Sequence, residues 1–189
     1  MSDLIRSFVA IELPQDLKFE LDKYIHKLRE LAPKVKWVKA ESLHLTLKFL
    51  GNVPAEIVDK SVIKLINLPE TMLPFSLTTG HFGSFPSRSK PRVFWLGLYN
   101  QVEGQLERLH LWVDESMQAL GFEKESRKFK PHLTLGRVKV REDFAELRDF
   151  VEKNPFPAFS FEVNEFVLMR SILSPQGARY RPIHKFSLQ

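Results

Sequence analysis

The residues of this chain best suited to chemistry lie in two copies of one tetrapeptide. The sequence His-Leu-Thr-Leu begins at His44 in the first half and again at His132 in the second half. Successive side chains of a β-strand point to opposite faces, so each histidine shares a face with the threonine two residues later, Thr46 or Thr134. We therefore predict two strands that bury their leucines and present an imidazole beside a hydroxyl, both facing one shared cleft.

Two imidazoles and two hydroxyls are suited to phosphodiester chemistry without a metal ion. An imidazole has an ordinary pKa of about 6.5, so near neutrality one histidine can act as a base and the other as an acid. Threonine hydroxyls can donate hydrogen bonds to the non-bridging phosphate oxygens. A cyclic phosphate fits this set because its strained ring needs little beyond positioning and proton transfer. We expect a bell-shaped pH profile centred near neutrality, and the residues alone do not say which histidine is the acid.

The histidines also allow structural, zinc-binding and RNA-binding interpretations. One histidine in one strand is more often structural than catalytic, but two identical copies favour catalysis. A zinc hydrolase would need three ligands, and the sequence has neither an HExxH pattern nor a GxSxG elbow, a P-loop or a GxGxxG motif. The rival hypothesis is a non-catalytic RNA-end binding module, which does not explain the paired histidines. We assign the remaining histidines to structure or surface: His26, His81, His110 and His184.

Basic residues cluster around the second motif. The formal net charge is +5, which favours an anionic partner only weakly by itself. Placement beside the proposed chemistry favours phosphate binding for the set, although any single lysine in it could be ordinary solvated surface. The cluster comprises Lys124, Arg127, Lys128, Lys130, Arg137, Lys139 and Arg141, and a second group comprises Arg88, Lys90 and Arg92.

The composition is that of a globular protein. Of 189 residues, 43% are hydrophobic and 27% charged, so disorder is not expected, and we predict one domain spanning 1–189. No apolar run approaches the length of a membrane span, and the first residues lack the pattern of a secretory signal. Without cysteine there are no disulfides and no thiolate metal site. A cytoplasmic protein with no membrane partner is the simplest expectation.

Hydrophobic periodicity predicts an α+β fold. Leucine and isoleucine at helical spacing predict a long helix over 15–31, and the same pattern predicts helices near 58–66, 102–120 and 144–151. Alternation predicts strands at 7–13, 34–38, 43–50, 75–79, 82–85, 93–98, 132–139, 159–163, 166–172 and 180–186. We expect antiparallel sheets in two similar lobes, with the helices on the outer faces.

At these motifs the sequence resembles the 2H phosphoesterase superfamily, which is named for two His-x-Thr motifs. Within it, the chain is similar to the bacterial and archaeal RNA 2′,3′-cyclic phosphodiesterases, also called 2′-5′ RNA ligases. The resemblance covers nearly the whole chain, in blocks at 6–11, 44–51, 85–88, 91–97, 129–137 and 168–188.

The resemblance implies a bilobal α+β fold whose two lobes surround a central cleft in pseudo-twofold symmetry. It implies a reaction that needs no metal or cofactor, in which a 2′,3′-cyclic phosphate opens to a 2′-phosphate. Some members also join RNA through a 2′-5′ bond. In this family His44 would be the general acid and His132 the general base. The implied partners are RNA with cyclic phosphate ends, including tRNA fragments, or small cyclic nucleotides, and we expect a monomer.

The family also suggests residues that bind substrate. Arg137 corresponds to a position associated with phosphate binding, but a regular strand would place it on the leucine side. It can reach the cleft only if the strand ends or bulges near Gly136. Phe49 holds the equivalent place in the first copy. Phe8 and Tyr180 are weaker candidates for stacking on a base.

Overall fold

The computed structural model describes residues 4–101, 104–140, 142–174 and 177–189. Within them, the helices are α1 (Gln15–Leu31), α2 (Ala55–Ile66), α3 (Gln105–Gln118) and α4 (Ala145–Lys153). The strands are β1 (Ile5–Glu12), β2 (Val35–Trp37), β3 (His44–Val53), β4 (Phe75–Phe85), β5 (Val93–Asn100), β6 (His132–Val138), β7 (Ser160–Val163), β8 (Glu165–Ser174) and β9 (Gly177–Ser187). The predicted α+β class is confirmed.

Helix α1 has the bounds that its apolar spacing predicts. Leu17, Leu21, Ile25 and Leu28 recur every three or four residues and are fully buried, so they form one continuous stripe against the core. Burying each of these side chains contributes about 1.5–3 kcal/mol to folding. The apolar stripe therefore fixes both the helix and the face that it turns to the sheet.

Several predicted bounds differ from the structure. Residues 75–79 and 82–85 are one strand, β4, because a bulge between Thr79 and Phe82 keeps the chain within the sheet. Strand β3 continues to Val53 rather than ending near Gly51, whose φ of 75° lies in the left-handed region open to glycine. Helix α3 begins at Gln105, and the predicted start at Val102 lies outside the described residues.

The strands form one nine-stranded antiparallel sheet rather than two separate ones. Its order is β7-β4-β5-β6-β3-β1-β8-β9, and β2 also pairs with β6. The two motif strands, β6 and β3, are central neighbours joined at the single pair Leu45 and Leu133. We call this junction the seam. The strands β7, β4, β5, β6 and β2 are the His132 half of the sheet, and β3, β1, β8 and β9 are the His44 half.

The helices cover one face of the sheet and leave the other open. The main core lies between the helices and the leucine face, and it includes Leu45, Leu47, Leu133 and Leu135. A small second cluster lies on the opposite face of the His44 half, formed by Phe8, Ala10, Val167 and Met169 with Tyr180 packed against it. None of the helices in the described ranges is both long and apolar enough to cross a membrane.

Two helices cross from one half of the sheet to the other. α1 follows β1 of the His44 half but packs against β2 and α4, on the His132 half. α3 follows β5 of the His132 half but packs against β3 and α2, on the His44 half. Each half is therefore covered by one helix that starts from a strand of the other half.

Candidate active site

The seam places the two motifs side by side. Leu45 and Leu133 are direct partners, and extending this antiparallel register by one residue sets His44 opposite Thr134 and Thr46 opposite His132. Directly paired residues project from the same face, so the imidazoles and hydroxyls share the face opposite the buried leucines. The two histidines are then diagonal neighbours, about 7–8 Å apart at the backbone. A phosphate group fits between side chains at this separation.

Both imidazoles are held in the same way. The Nδ1 of His44 lies 2.9 Å from the carbonyl oxygen of Ser42, and the Nδ1 of His132 lies 2.6 Å from that of Lys130. A carbonyl oxygen only accepts, so each Nδ1 carries the proton that it donates. The tautomer leaves Nε2 of each ring as the nitrogen that can accept a proton.

Aromatic rings surround each imidazole. The ring of His44 lies 4.7 Å from that of Phe8 and 5.0 Å from that of Tyr180. The ring of His132 lies 5.1 Å from that of Phe85 and 6.1 Å from that of Trp95. These contacts restrict each imidazole to one orientation above the sheet.

The same packing removes water from the histidines. Burial lowers the pKa of His44 below its usual range, against the raising effect of its bond to the Ser42 carbonyl. Burial likewise lowers the pKa of His132, and the positive charge of Arg137 lowers it further. Both imidazoles therefore lose their protons more readily than they would in water.

A β-bulge follows each motif at the same position. In β6 the register to β5 passes from Thr134 directly to Gly136, which leaves Leu135 as an extra residue. In β3 the register to β1 passes from Thr46 directly to Lys48, which leaves Leu47 as the extra residue. Each extra leucine is the third residue after its histidine, so the two halves repeat one local geometry.

The bulges change which residues face the cleft. Beyond each one the alternation of side chains is reversed, so Arg137 and Phe49 lie on the same face as the histidines rather than on the leucine face. This resolves the difficulty that regular alternation raised for Arg137. The Arg137 charge acts on both His132 and Tyr180, and Lys36 is its direct partner on β2. Phe49 is 62% exposed and lies 5.9 Å from Phe8 between ring centroids.

The first bulge also turns a lysine toward the helices. Lys48 and Asp114 of α3 form an ion pair, and their side chains are 10% and 3% exposed. Lys48 also donates to the carbonyl oxygen of Glu123 at 2.6 Å, and the Asp114 carboxylate accepts from the backbone nitrogen of Glu125 at 3.3 Å. These bonds join β3 to α3 and to the segment that leads into His132.

The two proposed base-stacking residues differ in exposure. Phe8 is only 2% exposed and packs beneath His44, so it supports the imidazole and presents no open face to a base. Tyr180 is half-buried and meets the rings of Phe8 and His44 edge to face. Burial raises the pKa of the Tyr180 hydroxyl, while the charges of Arg137 and Arg6 oppose that shift.

Sequence reasoning did not find the aromatic residues beside His132. Phe85 and Trp95 come from β4 and β5, and Trp95 is the direct partner of Thr134. The pairing of β4 with β5 and of β5 with β6 brings them to the site, and nothing local in the sequence carries that signal. Of the histidines assigned to structure or surface, His110 stacks on Phe129 at 3.8 Å, while His81 is exposed beside Trp95.

The basic residues are only partly gathered at the cleft. The Nζ of Lys130 lies 5.9 Å above the Phe85 ring, beside His132. Arg88 pairs instead with Glu152, near a surface cavity of about 510 Å³ that holds none of the predicted site residues. Arg141 lies outside the described residues. In the described part of the chain, no three His, Asp or Glu side chains are grouped as they would be around a metal ion.

Comparisons with known proteins identify the family and the fold of this chain. The family model of the 2′-5′ RNA ligase superfamily matches residues 17–173. A Methanocaldococcus jannaschii protein named RNA 2′,3′-cyclic phosphodiesterase is 34% identical over 96% of this chain and 100% of its own. An Archaeoglobus fulgidus protein of the same name is 36% identical over 96% of this chain and 99% of its own. The crystal structure of E. coli LigT complexed with 3′-AMP superposes with a TM-score of 0.78 at 29% identity, over 99% of each chain.

Proposed function

The chain belongs to the 2′-5′ RNA ligase superfamily, and on that premise we propose that it hydrolyses 2′,3′-cyclic phosphate ends of RNA to 2′-phosphates with His44 and His132 as its acid–base pair. Relatives named RNA 2′,3′-cyclic phosphodiesterase match it over nearly the full length. The observation that carries the proposal is the repeated presentation of two imidazoles, each bonded through Nδ1 to the carbonyl two residues earlier and set beside the other at the seam.

In the proposed reaction the cyclic phosphate lies between the two Nε2 atoms. The Nε2 of His132 accepts a proton from water as the water oxygen bonds to phosphorus. The bond from phosphorus to the ribose 3′ oxygen breaks, and the Nε2 of His44 donates a proton to that oxygen. The charge of Arg137 disfavours the imidazolium form of His132, which supports its role as the base. The assignment of His44 as the acid rests on the family resemblance.

The threonines and Arg137 stabilise the phosphate in this proposal. The hydroxyls of Thr46 and Thr134 stand opposite the two histidines and donate to the non-bridging oxygens, where charge is spread in the transition state. Arg137 supplies a fixed positive charge on the same face. These groups act by position alone and need no proton transfer of their own.

The same pair of histidines can also support ligation. If a ribose 5′-hydroxyl replaces water beside His132, its oxygen bonds to phosphorus and the 3′ oxygen leaves, which forms a 2′-5′ phosphodiester. The proton of the 5′-hydroxyl passes to His132 and His44 protonates the 3′ oxygen, so one phosphate ester replaces another, and the released ring strain means that the step needs no external energy source. We propose ligation as a secondary activity that grows with the concentration of 5′-hydroxyl ends.

The decisive experiment uses an oligonucleotide that ends in a 2′,3′-cyclic phosphate. The purified protein is incubated with it in the presence of EDTA, and the product isomer is identified by chromatography against synthetic standards. A 2′-phosphate is expected. Binding without any product would favour the rival RNA-end binding module, and a 3′-phosphate would overturn the assigned leaving group.

A further inference from the structure

We propose that Trp95, His81 and Tyr99 form an aromatic platform that stacks the bases of RNA nucleotides adjoining the reacting phosphate. This inference rests on the proposed function, because it extends the same site along the RNA. The platform lies on the His132 half of the sheet. The sequence alone favours a structural or surface role for His81, and this residue takes no part in the proposed phosphate chemistry.

The platform shares the face of the catalytic residues. Trp95 is the direct partner of Thr134, and Gly97, two residues further along β5, is the direct partner of His132. Alternation then places Tyr99 on the same face. Trp95, Gly97 and Tyr99 therefore line the open face along β5, on both sides of the level of His132.

Glycines on β4 leave room for two rings against the sheet. A Cβ atom added at Gly80 would overlap the ring of Tyr99, and one added at Gly83 would overlap the ring of Trp95. Phe85 stacks on the Trp95 ring with centroids 5.0 Å apart and holds it in place, whereas the Tyr99 ring is 50% exposed. An exposed ring on a β-sheet is the arrangement that stacks unpaired bases in other RNA-binding sheets.

The platform is ordered before any RNA binds. The Nδ1 of His81 and the hydroxyl oxygen of Tyr99 are 2.6 Å apart, within hydrogen-bond distance. The imidazole of His81 meets Trp95 edge to face, with ring centroids 5.2 Å apart. His81 is exposed and Tyr99 is 50% exposed, so both rings face solvent among the residues that the structure describes. Pre-formed rings lose little entropy when a base stacks on them.

Distance along β5 separates the two ends of the platform. The Trp95 ring lies 6.1 Å from His132, within reach of the nucleoside that carries the cyclic phosphate. Tyr99 lies on the other side of His132 along β5, two residues beyond Gly97, the direct partner of His132, or about 7 Å along the strand. The nucleoside that carries the cyclic phosphate can occupy the Trp95 side, and a neighbouring nucleotide of the same RNA can occupy the Tyr99 side.

Charged groups mark the two limits of the platform. Lys130 supplies positive charge near Phe85 at the inner end. At the outer end Thr78, the direct partner of Tyr99, joins a neutral hydrogen-bonded group with Gln101. Beyond it lies the carboxylate of Glu162, which would repel a phosphate. We therefore expect the platform to serve a short stretch of about three nucleotides.

The test compares a 2′,3′-cyclic mononucleotide with a trinucleotide that ends in the same cyclic phosphate. Tyr99→Ala should raise KM for the trinucleotide by about 5- to 100-fold, the range expected for one lost base stack. The KM for the mononucleotide and kcat for both substrates should stay unchanged. Equal effects on the two substrates, or no effect on either, would overturn the platform.

Three further variants separate stacking from folding defects. Gly80→Ala should act like Tyr99→Ala because its methyl group displaces the ring, whereas Tyr99→Phe keeps the ring and should retain most of the trinucleotide preference. Phe19→Ala removes an equally exposed ring, 64% exposed, from a helix remote from the sheet's open face and should change nothing. Equilibrium binding of the trinucleotide 2′-phosphate is measured in parallel. If the wild type binds it tightly and Tyr99→Ala does not, the platform holds even if no hydrolysis occurs; equal binding by both would reject it.

Discussion

At the scale of single residues, the site depends on two imidazoles. Each is held by a hydrogen bond at one ring nitrogen and is partly shielded from water by aromatic neighbours. The Nδ1 bonds of His44 and His132 to backbone carbonyls set the tautomer, and the surrounding rings set the orientation. The histidines and threonines were predictable because they recur in one tetrapeptide. Phe85 and Trp95 were not, because they reach the site only through the pairing of β4 with β5 and of β5 with β6, which no local pattern records.

Removing either imidazole should abolish most of the turnover. His44→Ala and His132→Ala should each lower kcat by about 10²–10⁴-fold, the range typical of a lost proton-transfer group. Thr46→Ala and Thr134→Ala should cost less because only a hydrogen bond to phosphate is lost. Rates are measured on a cyclic phosphate substrate, with circular dichroism to check folding. His26→Ala, on the exposed face of α1, is the matched control. Near wild-type rates in either histidine variant would refute the two-histidine mechanism.

The pH profile should be a bell displaced toward acid. Burial lowers the pKa of both histidines, so the form with one protonated and one neutral imidazole is most populated below the ordinary value of about 6.5. The structure thus moves the optimum of kcat/KM to the acidic side of the neutral value expected from sequence. A bound phosphate anion favours imidazolium, so the optimum of kcat should lie at higher pH than that of kcat/KM. A rate that rises steadily into the alkaline range would contradict this mechanism.

At the scale of strands and helices, the paired bulges decide which side chains face the cleft. Strand alternation alone would have turned Arg137 and Phe49 toward the core and Lys48 toward the cleft. The extra residues Leu135 and Leu47 reverse those directions. From the sequence, regular alternation places Arg137 on the leucine face, so a bulge near it could be expected. Neither bulge could be located, because a bulge is defined by the pairing of two strands. The positions of helices and strands were predictable where apolar residues recur at one regular spacing, as they do in α1.

The ion pair between β3 and α3 should be important for stability. Asp114→Ala leaves the ammonium of Lys48 buried without its carboxylate, and we expect the free energy of unfolding to fall by about 3–5 kcal/mol. Unfolding in urea, followed by circular dichroism, measures the change. The double variant Lys48→Met, Asp114→Leu removes both charges and should recover much of the loss. A loss below about 1 kcal/mol in Asp114→Ala would show that the pair contributes little.

At the scale of the whole molecule, an open sheet face and a net charge of +5 favour long-range attraction of RNA. We expect KM for an oligonucleotide to rise steeply as salt increases from about 50 to 500 mM, because each phosphate contact releases counterions. KM for a cyclic mononucleotide should rise much less, since it carries one charge. Steady-state kinetics at several salt concentrations measure both slopes. Parallel slopes would show that binding outside the reacting phosphate is not electrostatic.

The α+β class and the two related halves could be predicted from the sequence, whereas the single continuous sheet could not. The repeated tetrapeptide implies two similar units, but it does not record how they join. In the structure they join at one backbone pair, Leu45 and Leu133, which no period or composition indicates.

The crossing helices have a consequence for how such a chain could arise and how it can be divided. Apart from the short strands β2 and β7, the order β1-α1-β3-α2-β4 returns as β5-α3-β6-α4-β8, and in each unit the first helix and the last strand pack on the half of the other unit. This is the topology of a domain-swapped homodimer whose two protomers have been fused into one polypeptide. Neither unit can bury its apolar surface alone, so we infer that fragments cut between β4 and β5 become stable and complete the two-histidine site only by co-assembling.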